Sequence, residues 1–412
     1  MSRNRRDFFA RAASLGAGLF AGTKARADQH EGHAGQPART VPVETPDLPK
    51  LPYKLVDGVK EFHLAAEVVR REIVPGKVLD VWGYNGTMPG PTIEANQGDR
   101  VRFVFENRLP ERTSIHWHGL EVPMEMDGVP GLGMDPIPPA GKFTYEFTLT
   151  QHGTFFYHAH APMQEMMGQI GLLVIYPKTP YHPAVDRDFG LILQEWMVLP
   201  NNSVPNSMAM DYNWLTLNGK SGPACTPMLV KQGERVRIRM VNLGMDHHPM
   251  HLHGNTFYVT GTEGGRVPEA CWTPQNTVLV GVAQARDVEF DARYTGDWML
   301  HCHLPHHMMN EMMSAAGPIS PLVANDHHLH GSAPDAKQVP GFPQDMWMTM
   351  DEQVDKPENH GLRPGWTGAM MGMMTLVRVL KPEMYDRIME LKKTAPKEGS
   401  RGPAPMHKHD HK

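Results

Sequence analysis

At 412 residues the chain has room for two or three domains, each long enough to bury its own core. A net charge of −5 leaves no electrostatic footprint for nucleic acid. The 24 His and 30 Met against only 3 Cys exclude a disulfide scaffold and an iron–sulfur protein, and they suit copper, which takes imidazole and soft sulfur ligands.

At the N-terminus Arg5 and Arg6, followed by Phe8 and Phe9, precede a small-residue, weakly apolar run from Ala12 to Gly22. Ala25-Arg26-Ala27 then supplies an A-x-A cleavage site. Residues 1–27 therefore read as a twin-arginine export signal, with an amphipathic basic helix as the plainer alternative. The apolar run is far too short to span a membrane. A mature chain beginning near Asp28 is expected to be periplasmic or secreted, where a disulfide is allowed. Residues 28–60, rich in Pro, Gly and His without periodicity, are expected to form an extended arm.

Beyond the arm a repeat organises the chain. The stretch from Asn96 to Asn107 is echoed from Lys231 to Asn242, each a turn and then a strand with apolar side chains at every second position, as a sheet with one buried face and one face toward water requires. Nine residues past each closing Asn comes a histidine, His116 in one copy and His251 in the other. Further on, Gly153 leads through Thr154 to Tyr157 into His158-Ala159-His160, and Gly296 leads through Asp297 to Leu300 into His301-Cys302-His303. Short alternating strands broken by Gly and Pro predict an all-β fold of two Greek-key sandwiches, at 61–178 and 186–325, with Pro177 to Arg187 as the linker. A disulfide between Cys225 and Cys271 is plausible in an exported second domain. Residues 326–412 are expected to be an extended Met- and His-containing tail, with one strand or packed segment at 368–380, a short helix from Pro382 to Lys393, and His407, His409 and His411 near the end.

Superposing the copies shows what each half can bind. The second offers His248, Cys302, His307 and Met312, the two imidazoles, thiolate and weak axial thioether of a blue-copper electron-transfer site. The first offers Thr113, Ala159, Gln164 and Gln169 at the same places, so it has no such site. Both keep paired histidines: His116 and His118, His158 and His160, His251 and His253, His301 and His303. In H-x-H on a strand both rings leave by the same face, so each pair can reach one metal, or two adjacent metals across an interface. A three-copper cluster fed by a fourth copper through His301-Cys302-His303 would match the four electrons that reduce O2 to water.

His116-Trp117-His118-Gly119, His158-Ala159-His160, His248-Pro249-Met250-His251-Leu252-His253 and His301-Cys302-His303 with His307 and Met312 resemble the four copper motifs of the multicopper oxidases, over residues from about 78 to 313. The resemblance implies cupredoxin-like domains and four copper ions per functional unit. It implies type 1 copper on His248, Cys302, His307 and axial Met312, and type 2 copper on His116 and His251. It implies the type 3 pair on His118, His158, His160, His253, His301 and His303. Asp127 would relay protons to the cluster, a turn-forming Asp before Gly128 being the alternative. Electrons would arrive at His307 and cross Cys302.

Two domains with the blue site only in the second resemble the small laccases, which implies a cyclic homotrimer sharing its copper clusters between chains. Two departures stand out: Met308 where some three-domain relatives carry a carboxylate, and Val122 where some small laccases carry Tyr. The partners expected are O2 and a small reducing donor, either a phenol or Cu(I). Met308, Met309, Met312 and Met313 suit Cu(I), while Met370 to Met374 read as core filler, and His30 and His33 could collect metal. A copper nitrite reductase-like enzyme is the alternative that Ala159 opposes, and a non-catalytic periplasmic copper-binding or tolerance protein would need neither the blue set nor histidine pairs in register.

Overall fold

The computed structural model describes residues 40–199, 201–310 and 349–395. Nine strands make the first half: β1 (Tyr53–Val56), β2 (Val59–Val74), β3 (Lys77–Tyr84), β4 (Gly90–Asn96), β5 (Arg100–Asn107), β6 (His116–His118), β7 (Lys142–Thr148), β8 (Gly153–His158) and β9 (Ile170–Tyr176). They form two sheets, β1-β2-β5-β7 with β3 on β2, and β4-β9-β8-β6. Their inner side chains meet in one aromatic core around Phe103, Trp117, Tyr145 and Tyr157.

The second half begins with β10 (Arg187–Trp196), β11 (Trp214–Leu217), β12 (Met228–Lys231), β13 (Arg235–Asn242), β14 (His248–Leu252) and β15 (Phe257–Thr262). It continues with β16 (Gly265–Arg266), β17 (Pro274–Gln275), β18 (Thr277–Val280), β19 (Gln284–Asp291), β20 (Gly296–Cys302) and β21 (Met374–Leu380). Its sheets are β11-β10-β13-β19-β15-β16 with β17 on β15, and β12-β21-β20-β14-β18. The fold is thus all-β, two Greek-key, cupredoxin-like sandwiches. Among the described residues no helix is long and apolar enough to cross a membrane.

The repeated Asn has a physical role that is the same in both copies. Asn107 donates from Nδ2 to the carbonyls of Glu111 and Ile137, and its Oδ1 accepts the N–H of Leu109. Asn242 donates to the carbonyls of Asp246 and Val280 and accepts the N–H of Gly244. Each amide pins the loop that follows the strand and leads into the histidine strand.

Four expectations need correction. Residues 40–60 are not a free arm: Val43 is fully buried, Glu44 bridges to Phe189, Lys50 bridges to Thr92, and β1 pairs with β2. Val43 and Leu51 take apolar surface out of water by joining the cores, and the bridges keep the backbone groups beside them paired. The remainder of that arm and the export signal at 1–27 lie outside the described residues.

Nor is 349–395 an extended tail. β21 lies between β12 and β20, and all seven of its residues are buried. Without it β20, the strand of Cys302, would be an open edge. Met370, Met373 and Met374 are buried in apolar clusters, as filler would be, and the helix Pro382–Thr394 packs against Leu229 and Leu380 through Tyr385 and Ile388.

The Cys225–Cys271 disulfide is not formed. Cys225 is buried in the second core with its thiol donating to the Lys220 carbonyl, while Cys271 is exposed.

The last correction concerns β13. Its copy in the first domain, β5, alternates as a sheet with one wet face should, but all eight residues of β13 are buried. The polar face of β13 carries Arg235, Arg237 and Arg239, paired with Asp188, Asp287, Glu289 and Asp291. Arg239 grips Asp188 with two nitrogens at 2.8 Å each. It also donates to Thr154 of the first domain, whose hydroxyl in turn donates to Asp287 at 2.6 Å. The face that sequence assigns to water is therefore an interdomain contact. Replacing Arg239 by Met should cost about 3–5 kcal/mol, because it leaves Asp188 and Asp287 buried beside an uncharged chain. Equilibrium denaturation measures this, and a loss below ~1 kcal/mol would show the network to be dispensable.

Candidate metal centres

Strand pairing sets the histidines opposite one another in the same register in both domains. His116 faces His158 across β6 and β8, and His251 faces His301 across β14 and β20. Trp117, Leu252 and Leu300, one step along, point into the cores.

In the first domain the His116 ring centroid lies 5.6 Å from His118, 5.2 Å from His158 and 5.4 Å from His160. His118 Nδ1 and His158 Nε2 are 3.3 Å apart. In the second, the His251 ring lies 4.8 Å from His253, 5.6 Å from His301 and 5.5 Å from His303, and His253 Nε2 is 3.1 Å from His301 Nε2. Two nitrogens at such a spacing can both lie about 2.0–2.1 Å from one ion.

The other ring nitrogens are tied to the backbone, which decides the atom left over for a metal. Nδ1–H of His116, His158, His251 and His301 donates to the carbonyl of Asp127, Ala159, Asn276 and Cys302 respectively, freeing Nε2. His118 is turned the other way, with a backbone hydrogen bond to Ala283 and Nδ1 inward. Burial, followed by the neighbouring imidazoles, pushes His118 down to about 4, and burial also lowers His116, His253 and His301. These rings stay neutral at neutral pH, the form that binds metal.

Behind the second quartet lies a tighter set. Cys302 Sγ is 3.4 Å from His307 Nδ1 and 3.7 Å from His248 Nδ1, and the two nitrogens are 3.2 Å apart. All three residues are fully buried. Burial pushes the Cys302 thiol up to about 12 and His307 down to about 3, so a cation held between them is what would make the thiolate. The two His and one Cys fit copper by donor chemistry and by convergence. Met312, expected as the axial ligand, lies outside the described residues. His247 stays out of the set, accepting the Val282 N–H at Nδ1, and His306 is exposed.

The matching place in the first domain is a hydrogen-bonded patch: Thr113 donates to Gln164, Gln164 donates to the Arg112 carbonyl, and Ala159 and Gln169 are fully buried. Asp127 holds His116 chiefly by its backbone, the carbonyl at 2.8 Å and the carboxylate at 3.4 Å. Gly128 follows in the left-handed region, φ 85°, where a Cβ would strike the Ile115 carbonyl.

Sequence reasoning missed three carboxylates. Glu195 is 3.1 Å from His248 Nε2, Asp246 is 3.3 Å from His307 Nε2, and Glu165 is 3.5 Å from His158 Nδ1. Only Glu195 left a trace, as a lone acid inside the largely apolar run from Phe189 to Leu199.

Among the described residues no ring of the first quartet lies against a ring of the second. Each quartet opens to the surface, at His160 in one and at His253 and His303 in the other.

Two multicopper oxidase family models match the chain, at 67–180 and 198–316, together more than half of it. A copper resistance protein A homolog of Pseudomonas syringae pv. tomato is 43% identical over 142 residues, which is 34% of this chain and 24% of that protein. Laccase-2 of Botryotinia fuckeliana is 32% identical over 262 residues, 58% of this chain and 44% of that one. The chain thus spans less than half the length of both. Among solved structures, a blue copper oxidase from Nitrosomonas europaea superposes with a TM-score of 0.57 at 29% identity, covering 61% of this chain and 82% of that one.

Proposed function

The chain belongs to the multicopper oxidases, and from that premise we propose that it couples one-electron oxidation of a small donor to the four-electron reduction of O2 to water. On this reading His248, Cys302 and His307, together with Met312, would hold the type 1 copper. His116 and His251 would hold the type 2 copper, and His118, His158, His160, His253, His301 and His303 the type 3 pair. Copper would supply reversible one-electron chemistry at the first site and a place for O2 reduction at the other.

The observation that carries the reading is β20. Cys302 belongs to the buried His248–His307 set, and its chain neighbours His301 and His303 belong to the histidine quartet. A few covalent bonds therefore separate the two donor sets. The Cys302 carbonyl orients His301, which ties the two sets mechanically as well. The Asp127 carboxylate, half exposed beside His116, is suited to move protons at the edge of the cluster. Two open quartets that do not meet within one chain support a cluster shared between chains, as a homotrimeric ring would provide. The Arg5-Arg6 leader supports export to the periplasm.

For the donor we favour Cu(I). The outer nitrogen of His307 faces Asp246, with Met245 and His306 exposed beside them in sequence; the thioether and imidazole suit a cuprous ion, and the carboxylate adds a negative charge that attracts a cation. The resemblance to a copper resistance protein agrees. A phenol is the second reading, since the same carboxylate could accept a phenolic proton and a laccase is among the relatives. The expected result is about four copper ions per chain, an intense blue band, and oxygen uptake driven by Cu(I) without release of peroxide. Oxygen uptake with phenols but not Cu(I) would move the donor to the second reading. An irregular copper content with no oxygen uptake would reduce the protein to a copper store.

A further inference from the structure

Among the described residues one carboxylate is buried beside the His248–Cys302–His307 set, and it has no part in the function so far. Glu195 comes from β10, a strand of the other sheet, and is 2% exposed. A buried charge needs full pairing to persist. Glu195 has it: one oxygen accepts the backbone N–H of Met245 and that of Asp246, and the other accepts Nε2–H of His248 at 3.1 Å. The turn Gly244-Met245-Asp246 is wrapped so tightly around the carboxylate that a Cβ on Gly244 would collide with both of its oxygens. The loop that delivers His248 is therefore folded onto Glu195.

The two imidazoles of the set consequently have unlike outer partners. His248 is anchored by a fully buried carboxylate that also holds its loop. His307 faces Asp246, a carboxylate with 36% of its side chain exposed.

We propose that Glu195 is a positioning residue for the type 1 copper: it locks His248 in the tautomer that presents Nδ1 to the metal, and it lowers the reduction potential of the ion held there. This rests on the reading that His248, Cys302 and His307 hold that copper. A carboxylate that accepts from a ligating imidazole makes it a more basic ligand. Its own charge, in a low-dielectric site, favours Cu(II) over Cu(I).

The test is Glu195→Gln in the copper-loaded enzyme, which keeps the shape and removes the charge. The blue band is expected to persist while the type 1 potential rises. The shift should amount to a roughly ten- to hundredfold change in the one-electron equilibrium with a reference couple, ~59 mV per tenfold. A potential equal to that of the unmutated enzyme, with the blue band intact, overturns the inference and leaves the type 1 reading standing. Absence of a blue band from the unmutated, copper-loaded enzyme removes the type 1 reading itself, and the inference with it.

Should Glu195→Gln not fold, pulsed electron paramagnetic resonance on the unmutated enzyme decides. The remote nitrogens of the two type 1 imidazoles are expected to give unequal quadrupole couplings, because their hydrogen bonds differ. Equal couplings overturn the inference.

Discussion

Replacing Cys302 by serine is expected to abolish both the blue absorption and donor-driven oxygen uptake while leaving the fold intact. The thiol is fully buried, 3.4 Å from His307 Nδ1 and 3.7 Å from His248 Nδ1. It is the only soft donor among the described residues of that set. A hydroxyl of similar size keeps the packing of β20 against β14 and β21 but cannot become an anion there. The loss should exceed the roughly 10- to 100-fold that removal of an outer partner causes. Because the eight paired histidines are untouched, about three of four coppers should remain by metal analysis. A variant that keeps oxygen uptake within tenfold of the unmutated enzyme would show that electrons reach the cluster by another route.

The second large effect concerns the assignment of the cluster to two chains. His118→Ala damages the quartet of the first domain and His303→Ala that of the second, and each variant alone should be inactive. Co-assembled in equal amounts they should regain activity, because a site joining the first domain of one chain to the second domain of its neighbour can be intact when both halves come from undamaged domains. In a closed ring of three that holds both variants, about one site in three qualifies. The measurement is oxygen uptake of co-expressed, differently tagged variants purified through both tags. Activity near zero would mean that both quartets of a cluster belong to one chain, and light scattering showing an active monomer would agree with that outcome. The present geometry argues the other way, since no ring of His116, His118, His158 or His160 lies against His251, His253, His301 or His303 among the described residues.

The amino-acid sequence by itself determined those features that depend on spacing along a strand. Period-two alternation puts both rings of H-x-H on one face, and it puts Cys302 on the opposite face from His301 and His303. The internal repeat matched His116 with His251 and His158 with His301, and it separated the Cys302 half from the Ala159 half. The strand near 374–380 and the helix after it were legible for the same reason, being local patterns.

What only the tertiary structure decided involves contacts between residues far apart in the chain. Glu195 reaches His248 across 53 positions, Thr154 reaches Asp287 across 133, and neither pairing has a local signature. Alternation marks a strand's two faces but not what covers the second one, so the arginines of β13 read as a wet face when they are a buried ion-pair layer. Composition likewise made 349–395 look like a tail, because a strand's place in a sheet depends on which edge is open, and β12 and β20 left room for β21 between them.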